Sequence, residues 1–126
     1  MANDAGRAPE ALLPLTPAVF HILLALADGE KHGYAIMREV GERTGGGVRM
    51  GPGTLYGSIQ RMLHDGLIIE MRDRVDSVHG EERRRYYRLT GFGQRVLQAE
   101  AERLEHLVRI AQSKRILPGL GHAGGA

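Results

Sequence analysis

Residues 51–72, GPGTLYGSIQRMLHDGLIIEMR, contain the change from helical to strand periodicity that decides the fold. A proline suited to the first turn of a helix is followed by apolar side chains at helical spacing. These are Leu55, Ile59, Met62 and Leu63. Gly66 suits the left-handed residue that often follows a helix. From there the period becomes two, and the more apolar face of the strand is predicted to hold Leu67, Ile69 and Met71. The stretch therefore predicts a helix that leads through a tight turn into a strand.

Two helices are predicted before this stretch. Thr16 and Pro17 are typical of an N-cap and a first helical residue, so the first helix is predicted over residues 16–28. A polar link at 30–33 leads to a short second helix, which the glycines at 45–47 end. The second helix shows its period at Ile36, Met37, Val40 and Thr44.

A second strand and a long helix are predicted after it. A polar tip at 73–83 separates the first strand from residues 84–89, and the pair reads as a two-stranded hairpin. Thr90 then caps a helix that runs to about Lys114, roughly 34 Å at the usual rise per residue. This order predicts a mainly α fold with a small β hairpin: a winged helix-turn-helix plus a long C-terminal dimerisation helix. The predicted units are a flexible arm at 1–14, the winged helix-turn-helix at 15–89, the dimerisation helix at 90–115 and a disordered tail at 116–126.

Length and composition favour one globular domain of 126 residues, 42% of them hydrophobic and 25% charged. The longest apolar run, 19–27, is too short to span a bilayer, and the N-terminus does not resemble a secretory signal, so we expect a cytoplasmic protein without a membrane partner. The absence of cysteine excludes disulfides and thiolate nucleophiles. Fifteen arginines against two lysines suit phosphate or guanine contacts, and a GC-rich genome explains the same bias equally well.

The exposed face of the third helix is predicted to contact double-stranded DNA. The helical period places on that face Gly53, Thr54, Gly57, Gln60, Arg61 and His64. Gln60 and Arg61 carry donors and acceptors suited to base edges, and the helix N-terminus at Gly53 and Thr54 presents N–H groups to a phosphate. Glycine inside a helix costs up to about 1 kcal/mol relative to alanine, so Gly57 favours close approach of a partner. The alternative for each residue is simple exposure to solvent.

The hairpin forms a second basic element. Its six arginines are Arg72, Arg74, Arg83, Arg84, Arg85 and Arg88. In a winged helix this hairpin flanks the minor groove, where arginine is favoured electrostatically. A charged run is more often only solvated surface, but its position here favours phosphate or minor-groove contact.

The long helix carries an apolar seam with alternating steps of four and three residues, which is typical of helix pairing in a homodimer. The seam consists of Leu97, Ala101, Leu104, Val108 and Ala111. A small apolar or aromatic effector is expected between this helix and the first one. The candidate pocket residues are Phe20, His21, Leu24, Leu97 and Leu104. The alternative is that these side chains fill the space and no effector exists.

Four separated motifs together resemble the PadR family of bacterial transcription regulators, over about residues 15–112. They are His32-Gly33-Tyr34, Gly53-Thr54-Leu55-Tyr56, Asp65-Gly66-Leu67-Ile68 and Arg85-Tyr86-Tyr87-Arg88-Leu89-Thr90. The resemblance implies a homodimer that represses its own or a neighbouring gene, often for a transporter or detoxification enzyme, and that a small molecule releases. It also implies that Tyr56 contacts the DNA backbone, beside the alternative of a packed ring.

Other functions are less well supported by the sequence. An enzyme is disfavoured because there is no nucleophile elbow and the segment at 51–54 lacks the lysine of a phosphate-binding loop. No cofactor is predicted, and the six histidines show no metal-binding spacing, so no metal is predicted either. A winged helix used only for protein docking is the remaining alternative, and it would not need the basic hairpin.

Overall fold

The computed structural model describes residues 7–48, 50–71 and 85–119, which form four α-helices and three short strands. A 3-10 helix at Pro9–Leu12 precedes them. In chain order the elements are α1 Pro17–Ala25, β1 Lys31–His32, α2 Gly33–Arg43, α3 Pro52–His64, β2 Ile68–Met71, β3 Tyr86–Leu89 and α4 Gly91–Ser113. The mainly helical winged helix-turn-helix predicted from the sequence is confirmed.

Side-chain caps determine where three of the helices begin. The Thr16 hydroxyl accepts a hydrogen bond from the Val19 N–H at 3.2 Å, and the Thr90 hydroxyl accepts one from the Gly93 N–H at 2.9 Å. Before α2 the ring Nδ1 of His32 accepts a hydrogen bond from the Ala35 N–H at 3.1 Å. Each cap satisfies a backbone donor that has no partner within its own helix. The predicted N-caps at Thr16 and Thr90 are thus confirmed, although α1 ends at Ala25 rather than near residue 28.

The sheet has three antiparallel strands in the order β1-β3-β2, one more than the predicted hairpin. The extra strand comes from the polar link, where Lys31 pairs with Tyr87 and His32 with Tyr86. The predicted facing of β2 was wrong, because Ile68 is buried whereas Ile69 is 38% exposed. The cause is Leu67, which is buried in the turn before the strand. The alternation of buried and exposed side chains therefore begins at Ile68, one residue later than predicted.

The hydrophobic core lies between the helices and the inner face of the sheet. Ile22, Ile36, Leu55 and Val96 have no exposed surface, and each comes from a different helix. Tyr87 supplies the buried side chain of β3. The start of α4 packs closely on the turn before β2. A Cβ at Gly93 would overlap the carbonyl oxygen of Leu67, so only glycine fits there.

Residues 7–14, hereafter the arm, contact the body of the protein, whereas residues 1–6 of the predicted flexible segment lie outside the described residues. Arg7 donates a hydrogen bond to the main-chain oxygen of Asp65 at 2.8 Å, and its guanidinium lies 4.6 Å from the centre of the Phe92 ring. Leu12 and Leu13 pack against the core. This packing covers part of the apolar surface of both leucines, which favours the packed arm against the conformational entropy of a loose one.

Near the middle of α4, a buried carboxylate accepts hydrogen bonds from two parts of the chain. Glu100 is 2% exposed, and its carboxylate accepts hydrogen bonds from Arg103 and, at 3.0 Å, from the Leu15 N–H.

Beyond α4 the chain is described to residue 119, so most of the predicted disordered tail lies outside the described residues. Within the described residues, every helix is too short or too polar to span a bilayer.

Candidate nucleic-acid interface

One face of α3 is buried and the opposite face is open. The buried side chains are those of Leu55, Ser58, Ile59 and Met62. The exposed residues include every position of α3 that the sequence assigned to DNA contact, namely Gly53, Thr54, Tyr56, Gly57, Gln60, Arg61 and His64. Within the described part of the chain, the side chains of Gln60, Arg61 and His64 have no hydrogen bond or ion pair. Their donors and acceptors are therefore available to another molecule.

The middle of this face is flat because Gly57 has no side chain. A Cβ built at Gly57 would have no neighbour within 4 Å among the described residues. Intramolecular packing there does not require glycine, although glycine lowers the stability of the helix by about 1 kcal/mol relative to alanine. A partner surface that comes close to the helix axis would require it.

Tyr56 is both packed and exposed, which accommodates both of the roles suggested by the sequence. A Cβ at Gly33 would overlap the Tyr56 hydroxyl and lie 3.0 Å from the ring carbon that bears it. The missing side chain of Gly33 thus lets Tyr56 lie against the start of α2. The residue nevertheless remains 44% exposed, so part of the phenol faces outward.

An aromatic group that the sequence analysis did not assign to the site lies near the start of α2. His32 stacks on Tyr34 with 6.5 Å between ring centres and meets Tyr86 edge-on at 5.4 Å. Tyr34 is 56% exposed, the largest exposed fraction among these rings. The His-Gly-Tyr motif was a signal for this position, because an exposed aromatic residue in the first turn of a helix is not needed for the core.

The structure describes two of the six arginines predicted for the hairpin. Arg88 is exposed on β3, on the same outer face as its partner Ile69. Arg85 is also exposed, and its Nε lies 3.7 Å from a carboxylate oxygen of Glu70, so that part of its charge is already engaged. The other four, Arg72, Arg74, Arg83 and Arg84, lie outside the described residues.

The predicted seam of α4 is divided between the core and the surface. Leu97 is 8% exposed and belongs to the hydrophobic core. Further along, Ala101 is exposed, whereas Leu104, Val108 and Ala111 are partly exposed. Leu107 and Ile110, which the predicted seam did not include, are exposed as well. The second half of α4 therefore has the apolar surface that no element of the described chain covers.

The side chains of the predicted effector pocket are largely occupied by contacts within the chain. Phe20 and Leu24 pack against the core, which already includes Leu97. The ring Nδ1 of His21 lies 3.1 Å from a guanidinium nitrogen of Arg43, and because arginine can only donate, the histidine accepts. Partial burial and then the charge of Arg43 lower the pKa of His21, which favours its neutral form.

Comparison with known proteins gives consistent results. The family model described as "Transcriptional regulator PadR-like family" matches residues 22–99. Transcriptional regulator Rv3488 of Mycobacterium tuberculosis is 35% identical over 105 residues, which cover 83% of this chain and 87% of that protein. A PadR family transcription regulator from Clostridium difficile superposes with a TM-score of 0.68 at 26% identity, over 78% of this chain and 97% of that one.

One protein solved in a complex shares this fold over part of its length. The structure of Bacillus subtilis PadR in complex with operator DNA matches with a TM-score of 0.58 at 22% identity, over 72% of this chain and 48% of that one.

Proposed function

The chain belongs to the PadR-like family of transcriptional regulators, and from this we propose that it is a homodimeric repressor that binds an operator through α3. Regulators of this family are DNA-binding proteins rather than enzymes. The target is proposed to be its own or a neighbouring gene, for a transporter or a detoxification enzyme.

The observation that carries the proposal is the open face of α3. It presents hydrogen-bonding side chains around Gly57, which leaves the centre of the face flat. This combination suits a helix that enters the major groove, where Gln60 and Arg61 would reach base edges. The Bacillus subtilis relative, which has the same fold, was solved on operator DNA.

Contacts to the DNA backbone are proposed for residues on either side of that helix. Tyr56 and Tyr34 would reach phosphates from the α2–α3 side, and Arg85 and Arg88 from the sheet side. Phosphate contacts fix the position of a protein on the duplex but do not read its sequence. Binding strength and sequence preference are therefore expected to depend on different residues.

Pairing of two copies is proposed to occur along the second half of α4. That helix has 23 residues, and Leu107 and Ile110 are 48% and 39% exposed. An apolar stripe of this kind on a regular helix favours burial against a second helix. Two copies would then present two α3 helices to one operator.

Release by a small aromatic molecule is proposed at the junction of α1 and α4, where Leu24 and Leu104 remain partly exposed despite the packing of their neighbours. Leu24→Trp would fill that junction, so the variant is expected to keep DNA binding and to lose any response to planar aromatic compounds. A variant that responds unchanged would place the effector elsewhere.

The direct test of the proposal is fluorescence anisotropy with duplex DNA from upstream of the protein's own gene and a shuffled duplex of equal composition. Tighter binding to the upstream duplex is expected, together with affinity that falls steeply as salt rises, because bound phosphates release counterions. Equal binding to both duplexes would refute sequence-specific regulation. No binding to either would favour a protein-docking role.

A further inference from the structure

A cavity of about 150 Å³ lies where the arm, the start of α1 and the second half of α3 meet. Its walls are mainly apolar and include Leu12, Leu15, Val19 and Met62. Met62 and Val19 are core residues, so this wall is held rigidly by packing. The cavity does not include any residue of the junction between α1 and α4 discussed above.

The rim of this arm cavity is polar and carries both signs of charge. Arg61 and Asp65, one helical turn apart, both line it. Neither side chain has a hydrogen bond or ion pair within the described residues, although the main-chain oxygen of Asp65 accepts from Arg7. A guanidinium that donates and a carboxylate that accepts are thus both available at the entrance.

We infer that the arm cavity binds a small neutral molecule with an apolar body of about one six-membered ring and a hydroxyl or amide group. The volume supports the size, because an apolar cavity of about 150 Å³ in another protein holds benzene. The rim supports the chemistry, because a hydroxyl can donate to Asp65 and accept from Arg61. The two charges have opposite signs, so an anionic or a cationic ligand would be attracted by one of them and repelled by the other, whereas a neutral ligand with a donor and an acceptor can use both.

Binding at this site would change the surface that faces DNA. Arg61 both lines the cavity and lies on the exposed face of α3. A second, more open depression shares Arg61 and Asp65 with the cavity and extends along α3 to Gln60 and His64. A ligand that engages the Arg61 guanidinium would therefore compete with its use in DNA contact. This consequence rests on the proposed function, whereas ligand binding itself does not.

The test uses the full-length protein with methionine methyl groups labelled for NMR. Four probes share one benzyl or phenyl ring and differ in the attached group: benzyl alcohol, toluene, benzoate and benzylamine. Benzyl alcohol is expected to shift the Met62 methyl signal saturably and with the highest affinity of the four. The methyl signals of Met37 and Met50, which do not line the cavity, serve as internal controls.

Three results would overturn the inference. Absence of a saturable Met62 shift with every probe would show that the cavity does not bind such molecules. Tighter binding of benzoate or benzylamine than of benzyl alcohol would refute the preference for neutral ligands. Equal binding of toluene would show that the rim contributes nothing.

A pair of variants tests the role of the rim. Asp65→Ala removes the acceptor and is expected to weaken benzyl alcohol binding about fivefold, the effect of one ordinary hydrogen bond, with little change for toluene. Glu105→Ala removes an exposed carboxylate of α4 that does not line the cavity, and should change neither probe. Equal losses in the two variants would refute the assignment of Asp65.

The link to DNA is measured separately. Saturating benzyl alcohol is expected to weaken binding of the wild-type protein to the upstream duplex. Unchanged duplex affinity with an intact Met62 shift would refute the competition at Arg61 but not the ligand site. A protein that binds benzyl alcohol but no duplex would instead refute the proposed function.

Discussion

Gly57→Ala is expected to stabilise the folded protein and to weaken its binding to DNA. Gly57 lies in the middle of α3 on the exposed face, where an added methyl group meets no described atom within 4 Å. The substitution therefore causes no clash within the described part of the protomer and removes the conformational freedom of glycine from the unfolded chain. Any cost must come from a molecule that approaches the helix.

The expected sizes of the two effects follow from this geometry. Alanine should raise the free energy of unfolding by about 1 kcal/mol, the usual difference in helix propensity. A methyl group forced into a close-packed contact costs about 1–3 kcal/mol. That cost corresponds to a loss of DNA affinity of roughly 5- to 140-fold.

Two other helical glycines provide matched controls. Gly41→Ala in α2 also places a methyl group in open space, so it should stabilise the protein without changing DNA binding. Gly93→Ala should destabilise it by about 1–3 kcal/mol, because the new Cβ would overlap the backbone of Leu67. Urea unfolding followed by far-ultraviolet circular dichroism measures stability at one fixed protein concentration, and anisotropy with the upstream duplex measures affinity. If Gly57→Ala binds the duplex as tightly as Gly41→Ala does, DNA does not approach α3 closely and the reasoning fails.

Further predictions concern pairing, DNA contacts and pH. Leu104→Asp should halve the mass measured by light scattering, and an unchanged mass would move the interface away from this part of α4. Gln60→Ala should reduce the preference for the upstream duplex over the shuffled one, whereas Arg85→Ala should weaken both alike and reduce the salt slope by up to about one counterion; the reverse pattern would refute this division. The pKa of Glu100 is lowered below 4.5, mainly by the hydrogen bond from Arg103 and also by the one from the Leu15 N–H, while burial of the carboxylate opposes this shift. The stabilising contribution of this carboxylate is thus fully present above about pH 4.5 and is lost as the pH falls through the lowered pKa. Glu100→Gln should therefore reduce the free energy of unfolding at pH 7 by about 2 kcal/mol, and the variant should lose less stability than the wild type on acidification. Urea unfolding at several pH values measures both effects.

Local signals in the sequence were sufficient for the helices. A threonine N-cap followed by periodic apolar residues acts over a few positions, which is why Thr16 and Thr90 marked the starts of α1 and α4 correctly. The two-residue strand β1 has no such signal, because Lys31 and His32 are too few to show a period. Its existence depends on pairing with β3, more than fifty residues away.

The contacts of the arm, and of Leu15 directly after it, were also beyond prediction from local pattern. Arg7 and Asp65 are 58 positions apart, and Leu15 and Glu100 are 85 positions apart. A glutamate within a charged helix is usually solvated, so nothing in its neighbourhood indicated that Glu100 is buried. Its burial depends on where the arm crosses α4, which is a property of the tertiary structure.

The site shows the same division between local and long-range information. The exposed face of α3 follows from helical geometry alone, and every predicted residue on it is exposed. The seam of α4 was less predictable, because the same helical period serves two purposes. Leu97 continues the stripe that packs into the protomer, whereas Leu104 lies beyond the end of the core. Sequence periodicity cannot show where along a helix its apolar stripe stops packing on the hydrophobic core and becomes exposed for contact with a second copy.

The division of α4 into a half that packs on the body and a half that is proposed to pair has a mechanical consequence for the proposed dimer. The first half of α4 is fixed to the body by Gly93 against Leu67, and the arm joins Phe92 to the end of α3 through Arg7. The orientation of α3 relative to α4 is therefore held by packing rather than by a flexible linker. Two reading helices reach successive major grooves only when they are about 34 Å apart. In such a dimer, the pairing of the second halves of α4 would set that distance, so a small shift along the α4 interface would change the operator spacing without altering any residue that contacts DNA.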